Sequence, residues 1–278
     1  MHAMRLFFLV VTILLFGGHP RLVFAQDTAP LKTDVIWQRD RLDAEILDLQ
    51  RSYQGQLEEY LYKDKLFRIA YDQHKQLQTL ASIEDMINKG RELGLIRGQV
   101  LLSYLNLLRL KLIATEGIEI SLKEHYLGRL EATLAYINDH QQQLAAASDR
   151  DRLAQALTQF STDQRRVGDL ANEVLVLLSV GNLQMIHDKS IVLKRDIDDY
   201  LSEQNKTELA NVERASNETN RSLGAAKMKL DALWGDILRR GGDNFNLTRI
   251  YTDLPRTLNP IYVNLSQSIS YLGELLSF

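Results

Sequence analysis

The chain contains no cysteine, so no disulfide staples it and no thiol serves as nucleophile or metal ligand. It also lacks the cysteine that a bacterial lipoprotein carries directly after its signal, which excludes a lipid anchor there. Stability has to come from buried apolar surface alone. Proline is scarce, at positions 20, 30, 255 and 260 only, which leaves 224 residues from Leu31 to Leu254 without one. β-rich chains of that length use more turn breakers, so the gap points to helix. A basic stripe is missing too. With 33 Lys and Arg against 36 Asp and Glu, well mixed along the chain, nucleic acid is excluded as a partner. There is no glycine-rich phosphate loop and no nucleophile elbow, so neither a cofactor nor a catalytic residue is assigned and the chain is read as a non-enzyme.

What is present begins at the N-terminus. Arg5 precedes an apolar run from Leu6 to Phe16 interrupted only by Thr12, then Gly17, Gly18 and Pro20 break it, and Val23-Phe24-Ala25 offers a small-residue cleavage site before Gln26. The run is too short for a bilayer-spanning helix of roughly 20 residues, so residues 1–25 are expected to be a signal peptide. That reading places the protein in the periplasm, on the cell surface or outside the cell, with retention as a signal anchor the alternative. Processing removes Arg5 and Arg21 and leaves a net charge of −5.

Apolar spacing beyond the signal follows heptads. Leu42, Ile46, Leu49, Tyr53, Tyr60, Phe67, Ala70, His74 and Leu77 step by three and four, with Gln56 and Lys63 as polar intrusions. A second seam runs through Leu153, Leu157, Phe160, Val167, Ala171, Val174, Leu178, Met185 and Val192, interrupted by Gln164, Gly181 and Asp188. The expected fold is all-α: an elongated multi-helix bundle with coiled-coil-like long helices over 26–278, subdivided near Gly241-Gly242. The spacing predicts helices over 33–89, 96–115, 122–147, 150–200 and 203–240, then short helices within 246–278. Ser121-Leu-Lys-Glu124 and the weaker Ser148-Asp-Arg-Asp151 read as capping boxes, and Asn259-Pro260 as the start of a final helix. Gly90, Gly94 and Gly98 form either a small-residue ridge within a helix or a turn between helices. Each helical glycine costs about 1 kcal/mol relative to alanine, which favours the turn.

The stretch GQVLLSYLNLLRLKLIA, Gly98 to Ala114, has ten Leu, Ile, Val or Tyr among its 17 residues. Arg109 and Lys111 keep its uncharged part below the 18 or so residues a span needs, so it reads as a central core helix. Gln99, Ser103 and Asn106 draw a narrow polar stripe along it, and Val174–Val180 is a second such apolar piece.

Candidate chemistry is sparse. His74, His125, His140 and His187 show no metal-ligand spacing, and His74 on the first seam reads as a hydrogen-bonded interfacial imidazole rather than a ligand. Asp139-His140 and His187-Asp188 are sequence neighbours, which on a helix are expected to point apart. Asp196, Asp198 and Asp199 lack a glycine-bearing calcium loop and read as a solvated face. Asn-x-Ser/Thr occurs at Asn205, Asn217, Asn220, Asn246 and Asn264; in an exported protein these are candidate glycan acceptors, or simply the composition of a polar helix.

The long first helix, the LLSYLNLLRLKL segment and the signal peptide together resemble exported all-helical proteins of candidate-phylum bacteria, chiefly over residues 70–115. That resemblance implies export and an all-helical fold, and brings no activity, cofactor or binding residue with it. Two functions follow. One is a scaffold or interaction protein that binds a partner protein or envelope component and can self-associate through its helix seams. The alternative is a membrane-active protein, similar in outline to α-helical pore-forming toxins, in which Val100–Leu108 and Val174–Val180 are stored inside until they meet a bilayer.

Overall fold

The computed structural model describes residues 31–147, 150–205, 209–239 and 248–278, without the side chains of 31–37, 161–162 and 248–249. The expected signal peptide, Ser148, the Gly241-Gly242 loop and Asn246 lie outside the described residues. Among those described there are six helices and no strand: α1 Leu31–Leu77, α2 Leu80–Ala114, α3 Ile120–Ala146, α4 Arg150–Glu203, α5 Ala210–Arg239 and α6 Thr248–Leu275. The protein is an all-α multi-helix bundle. The chain divides at Asp40 into two compact units; the second, Arg41–Phe278, holds the rest of α1 and every other helix.

α1 and α2 form an antiparallel hairpin with a two-residue turn. Gln78 adopts a left-handed backbone, φ 49°. Thr79 then caps α2 reciprocally with Ser82: the Ser82 amide donates to Thr79 Oγ1 at 3.3 Å and the Thr79 amide to Ser82 Oγ at 3.0 Å. The continuous helix expected over 33–89 therefore breaks here, because serine takes the place usually held by Glu or Gln and closes the cap without a glycine or proline. The inner seam of α1 holds where the heptads place Tyr53, Tyr60 and Ala70, all buried, but fails at its end, where Leu77 is exposed beside the α1–α2 turn. Tyr53 packs on Tyr104 of α2 with ring centroids 5.7 Å apart, and Phe67 lies against Gly90.

Gly90, Gly94 and Gly98 are helical, which corrects the turn reading. A Cβ at Gly94 would meet Leu144 at 3.0 Å and Leu157 at 3.3 Å, and one at Gly98 would stand 2.3 Å from the amide nitrogen of Gln141. That amide occupies the space by donating to Leu95 O at 2.9 Å. The ridge lets α1, α3 and α4 close on α2, and this packing outweighs the helix-propensity cost. Leu105 and Leu108 are fully buried, so the Gly98–Ala114 stretch is a core helix as expected. Among the described residues no helix is long and apolar enough to cross a membrane.

α2 ends at Thr115, whose hydroxyl and amide both donate to Lys111 O, and the Lys123 ammonium donates to Thr115 O at 2.6 Å. The connection to α3 presses into α4: a Cβ at Gly117 would stand 2.1 Å from the carbonyl oxygen of Gly181. Ser121 is not the expected N-cap. Glu119 holds that position, and Ser121 donates to its carboxylate at 2.6 Å from within the first turn.

α4 is 54 residues long, about 80 Å at 1.5 Å per residue. Its N-terminal half joins Leu144 of α3 and Ala147, the residue that caps α3, in one cluster through Leu153 and Ala156. Its C-terminal half joins Val212, Ala215, Leu272 and Leu275 of α5 and α6 in another through Ile197 and Leu201. Between them every residue from Leu170 to Leu178 is buried. The expected seam holds to Gly181 and then fails. Val192 is exposed, and burial passes to Leu183, His187, Ser190, Lys194, Ile197 and Leu201, because the helix has changed partners.

α5 starts at Ala210 rather than 203, and the short C-terminal helices are replaced by one, α6. Pro255 and Pro260 sit inside it at exposed positions, so Asn259-Pro260 does not begin a helix.

Substitutions separate these contributions. In denaturant melts Leu105→Ala is expected to cost about 2–5 kcal/mol, and Asn106→Ala less, since the Asn106 amide only donates back to Leu102 O within its own helix. Gly117→Ala should destabilise by about 1–3 kcal/mol through its clash with α4. Gly128→Ala, with nothing within 4 Å of the added methyl, should instead stabilise by about 1 kcal/mol.

Candidate functional site

The residues flagged in the sequence do not converge. Asn205 is exposed in a left-handed turn after α4, and Asn217 and Asn220 are exposed on α5. Asn264 is half-buried on α6 and its Nδ2, the atom a glycan would be attached to, is buried without a partner among the described residues. His74 accepts or donates a 3.3 Å hydrogen bond with Ser82 across the α1–α2 turn, the interfacial role expected of it. His140 is buried, with Nε2 2.9 Å from Ala156 O and its ring 4.6 Å from that of Phe160. His187 and Asp188 do meet, Nδ1 to Oδ1 at 3.0 Å, against the expectation that helical neighbours point apart. Asp198 is engaged by the buried Lys194 at 2.5 and 2.6 Å, and the same ammonium donates to Ser216 of α5 at 2.9 Å. Among the described residues no group of three or more acidic or histidine side chains is placed to hold a metal.

Buried charge concentrates where α2 and α3 meet α4. Glu173, almost fully buried, accepts from Arg129 at 2.5 Å, and the guanidinium lies 5.0 Å over the Tyr126 ring. Burial, and then the Glu173 charge, push the Tyr126 phenol above the usual tyrosine range. Arg97 stacks 4.2 Å over Phe160, and its Nε and one terminal nitrogen are buried without a partner among the described residues. Desolvation pulls its guanidinium down from its ordinary value. Tyr136 donates to Asp163, and burial together with that bond pushes its phenol up to about 12. These groups tie helices together across faces already packed, and they open onto no described cleft.

Among the described residues a cleft and the outer face of α1 are accessible. The cleft, of about 220 Å³, is walled by Leu122, Trp234 and Leu238, with Glu119, Gln184 and a Lys227–Asp231 ion pair as its polar groups. It offers recognition chemistry rather than an activated nucleophile. On the outer face of α1, Leu47, Leu61, Tyr62 and Ile69 are 46–60% exposed, among the exposed charges Arg51, Glu58, Lys65 and Asp72. An apolar run left this exposed, on a helix whose other side is already packed, is not covered by the described residues. The signal was in the sequence, as large apolar residues lying off the heptad seam.

The α1 face is held on α2 by an ion pair, Lys63 Nζ to Glu92 Oε2 at 2.7 Å. The Lys63 hydrogen bond holds the Glu92 carboxyl below its ordinary value of 4.5. A carboxyl whose pKa falls on folding adds stability above that ordinary value and loses it as pH falls through the folded one. The pair is partly exposed, so Glu92→Gln should cost about 0.5 kcal/mol at neutral pH. The difference between variant and parent should shrink as pH falls below 4.5 and vanish once the folded carboxyl is protonated, which paired denaturant melts across pH would measure.

No protein-family model matches the chain, and no match appears among curated proteins or solved structures.

Proposed function

We propose that the protein is an exported, non-catalytic interaction protein of the cell envelope or extracellular space, a helical-bundle scaffold that docks a partner protein on the outer face of α1. The observation that carries this reading is the run Leu47, Leu61, Tyr62 and Ile69, exposed on a helix already anchored along its opposite seam. Apolar anchors ringed by charges of both signs suit an amphipathic helix of a partner, which would bury the anchors and pair with the rim. Export rests on the order of charged, apolar and small-residue segments before Gln26.

A photo-crosslinking residue in place of Tyr62, in cells that make the full chain, tests this. A discrete adduct with another protein is expected, absent when Ile69→Glu is added and absent when the probe replaces the exposed Glu131 of α3. No adduct at Tyr62, together with leakage of lipid vesicles by the purified chain, would replace the proposal with the membrane-active reading.

A further inference from the structure

α6 packs inward through Leu254, Ile261, Leu265, Ser268, Leu272 and Leu275. Beside that face runs a second stripe at alternating steps of three and four: Asn259, Tyr262, Ser266, Ile269, Gly273 and Leu276, every one of them exposed. Tyr262 and Leu276 are each 63% exposed and Ile269 is 49% exposed. The position of a Cβ at Gly273 is open space. No charged residue occurs in the 17 positions from Thr257 to Gly273, in a chain of which a quarter of the residues are charged. A solvated helix face carries charges. A charge-free face at heptad spacing suits a helix seam.

Charge and size together select the occupant. The chain is net negative, so two copies repel except where they present no charge, and this stripe is such a place. Its large residues sit at one heptad position and its smaller ones at the other. In an antiparallel pair with the two-fold axis between Gln267 and Ser268, Tyr262 faces Gly273 of the second copy, Ile269 faces Ser266, and Leu276 faces Asn259. Each bulky side chain then fills the space above a smaller one. A parallel in-register pair sets Tyr262 against Tyr262 and Gly273 against Gly273, alternating crowding with voids. We infer that the outer stripe of α6 is a self-association seam on which a second copy of this chain docks antiparallel. The stripe spans about 26 Å at 1.5 Å per residue, a small interface suited to a concentration-dependent dimer rather than a permanent one. It is separate from the α1 face and does not depend on the partner proposed there.

Sedimentation velocity of the full chain over a wide concentration range tests the seam. A monomer–dimer equilibrium is expected, weakened at least about tenfold by Ile269→Glu, which places two like charges in each dimer. Circular dichroism of that variant should be unchanged, because the side chain is exposed in the monomer. The register is read by oxidation, since the chain has no cysteine of its own. A Tyr262→Cys chain mixed with a Gly273→Cys chain should give the mixed disulfide in preference to either like pair. A monomer at every concentration, or a dimer indifferent to Ile269→Glu, overturns the proposal. So does a preference for like pairs, or lipid-vesicle binding by this stripe without self-association.

Discussion

The stretch of α4 from Leu170 to Leu178 is buried on every side, and that constraint organises the bundle. A helix buried around its whole circumference needs neighbours all round it. α4 meets the demand by belonging to two cores in succession, first with α2 and α3, then with α5 and α6. The change of partner is visible as a change of register, from the seam ending at Gly181 to the one carried by Leu183, His187, Ser190, Lys194, Ile197 and Leu201. Polar groups drawn into this helix are answered from the neighbours or from the helix itself: Glu173 by Arg129 of α3, Lys194 by Ser216 of α5 as well as by its own Asp198, His187 by Asp188 and Ser190 by Ile186 O. Asn172 is the exception, its Oδ1 buried without a partner among the described residues.

Missing side chains matter as much as present ones. The α2 glycines remove bulk where three helices converge, and Gly117 meets Gly181 where the α2–α3 connection touches α4. In a chain with no disulfide, close backbone approach of this kind is what couples the helices, because it converts small positional shifts into clashes. The outer faces of α1 and α6 are left over from that packing. Their difference in charge separates them as surfaces: mixed charges ring the apolar side chains of α1, and none interrupt the stripe on α6.

Much of this was legible in the sequence. The heptad on α1 named Tyr53, Tyr60 and Ala70 as inner positions, and the proline-free span named the fold class. What escaped has physical reasons. The α1–α2 turn uses Gln78 in a left-handed conformation and a Thr79–Ser82 cap, with no glycine or proline to announce it. The glycine ridge reads as a turn by propensity and becomes helix only through its neighbours, which lie up to 63 residues away at Leu153. Pro255 and Pro260 fall on the exposed side of α6, where the helix tolerates them. The cleft joins Glu119 to Trp234, a separation that no periodicity within one helix reveals. The α1 face was readable in principle, since Leu61, Tyr62 and Ile69 lie off the seam, but only a structure shows that the described residues leave them exposed.

If α4 is shared by both cores, neither can open without the other, and native-state hydrogen exchange measures this most directly. The amides of Leu170–Val180 should exchange last. Those of the buried stretches of α2 and α5 should open with the same free energy as these, in one global event. Two separate opening free energies, with α5 and α6 exchanging well before α2 and α3, would contradict a bundle built on one shared helix.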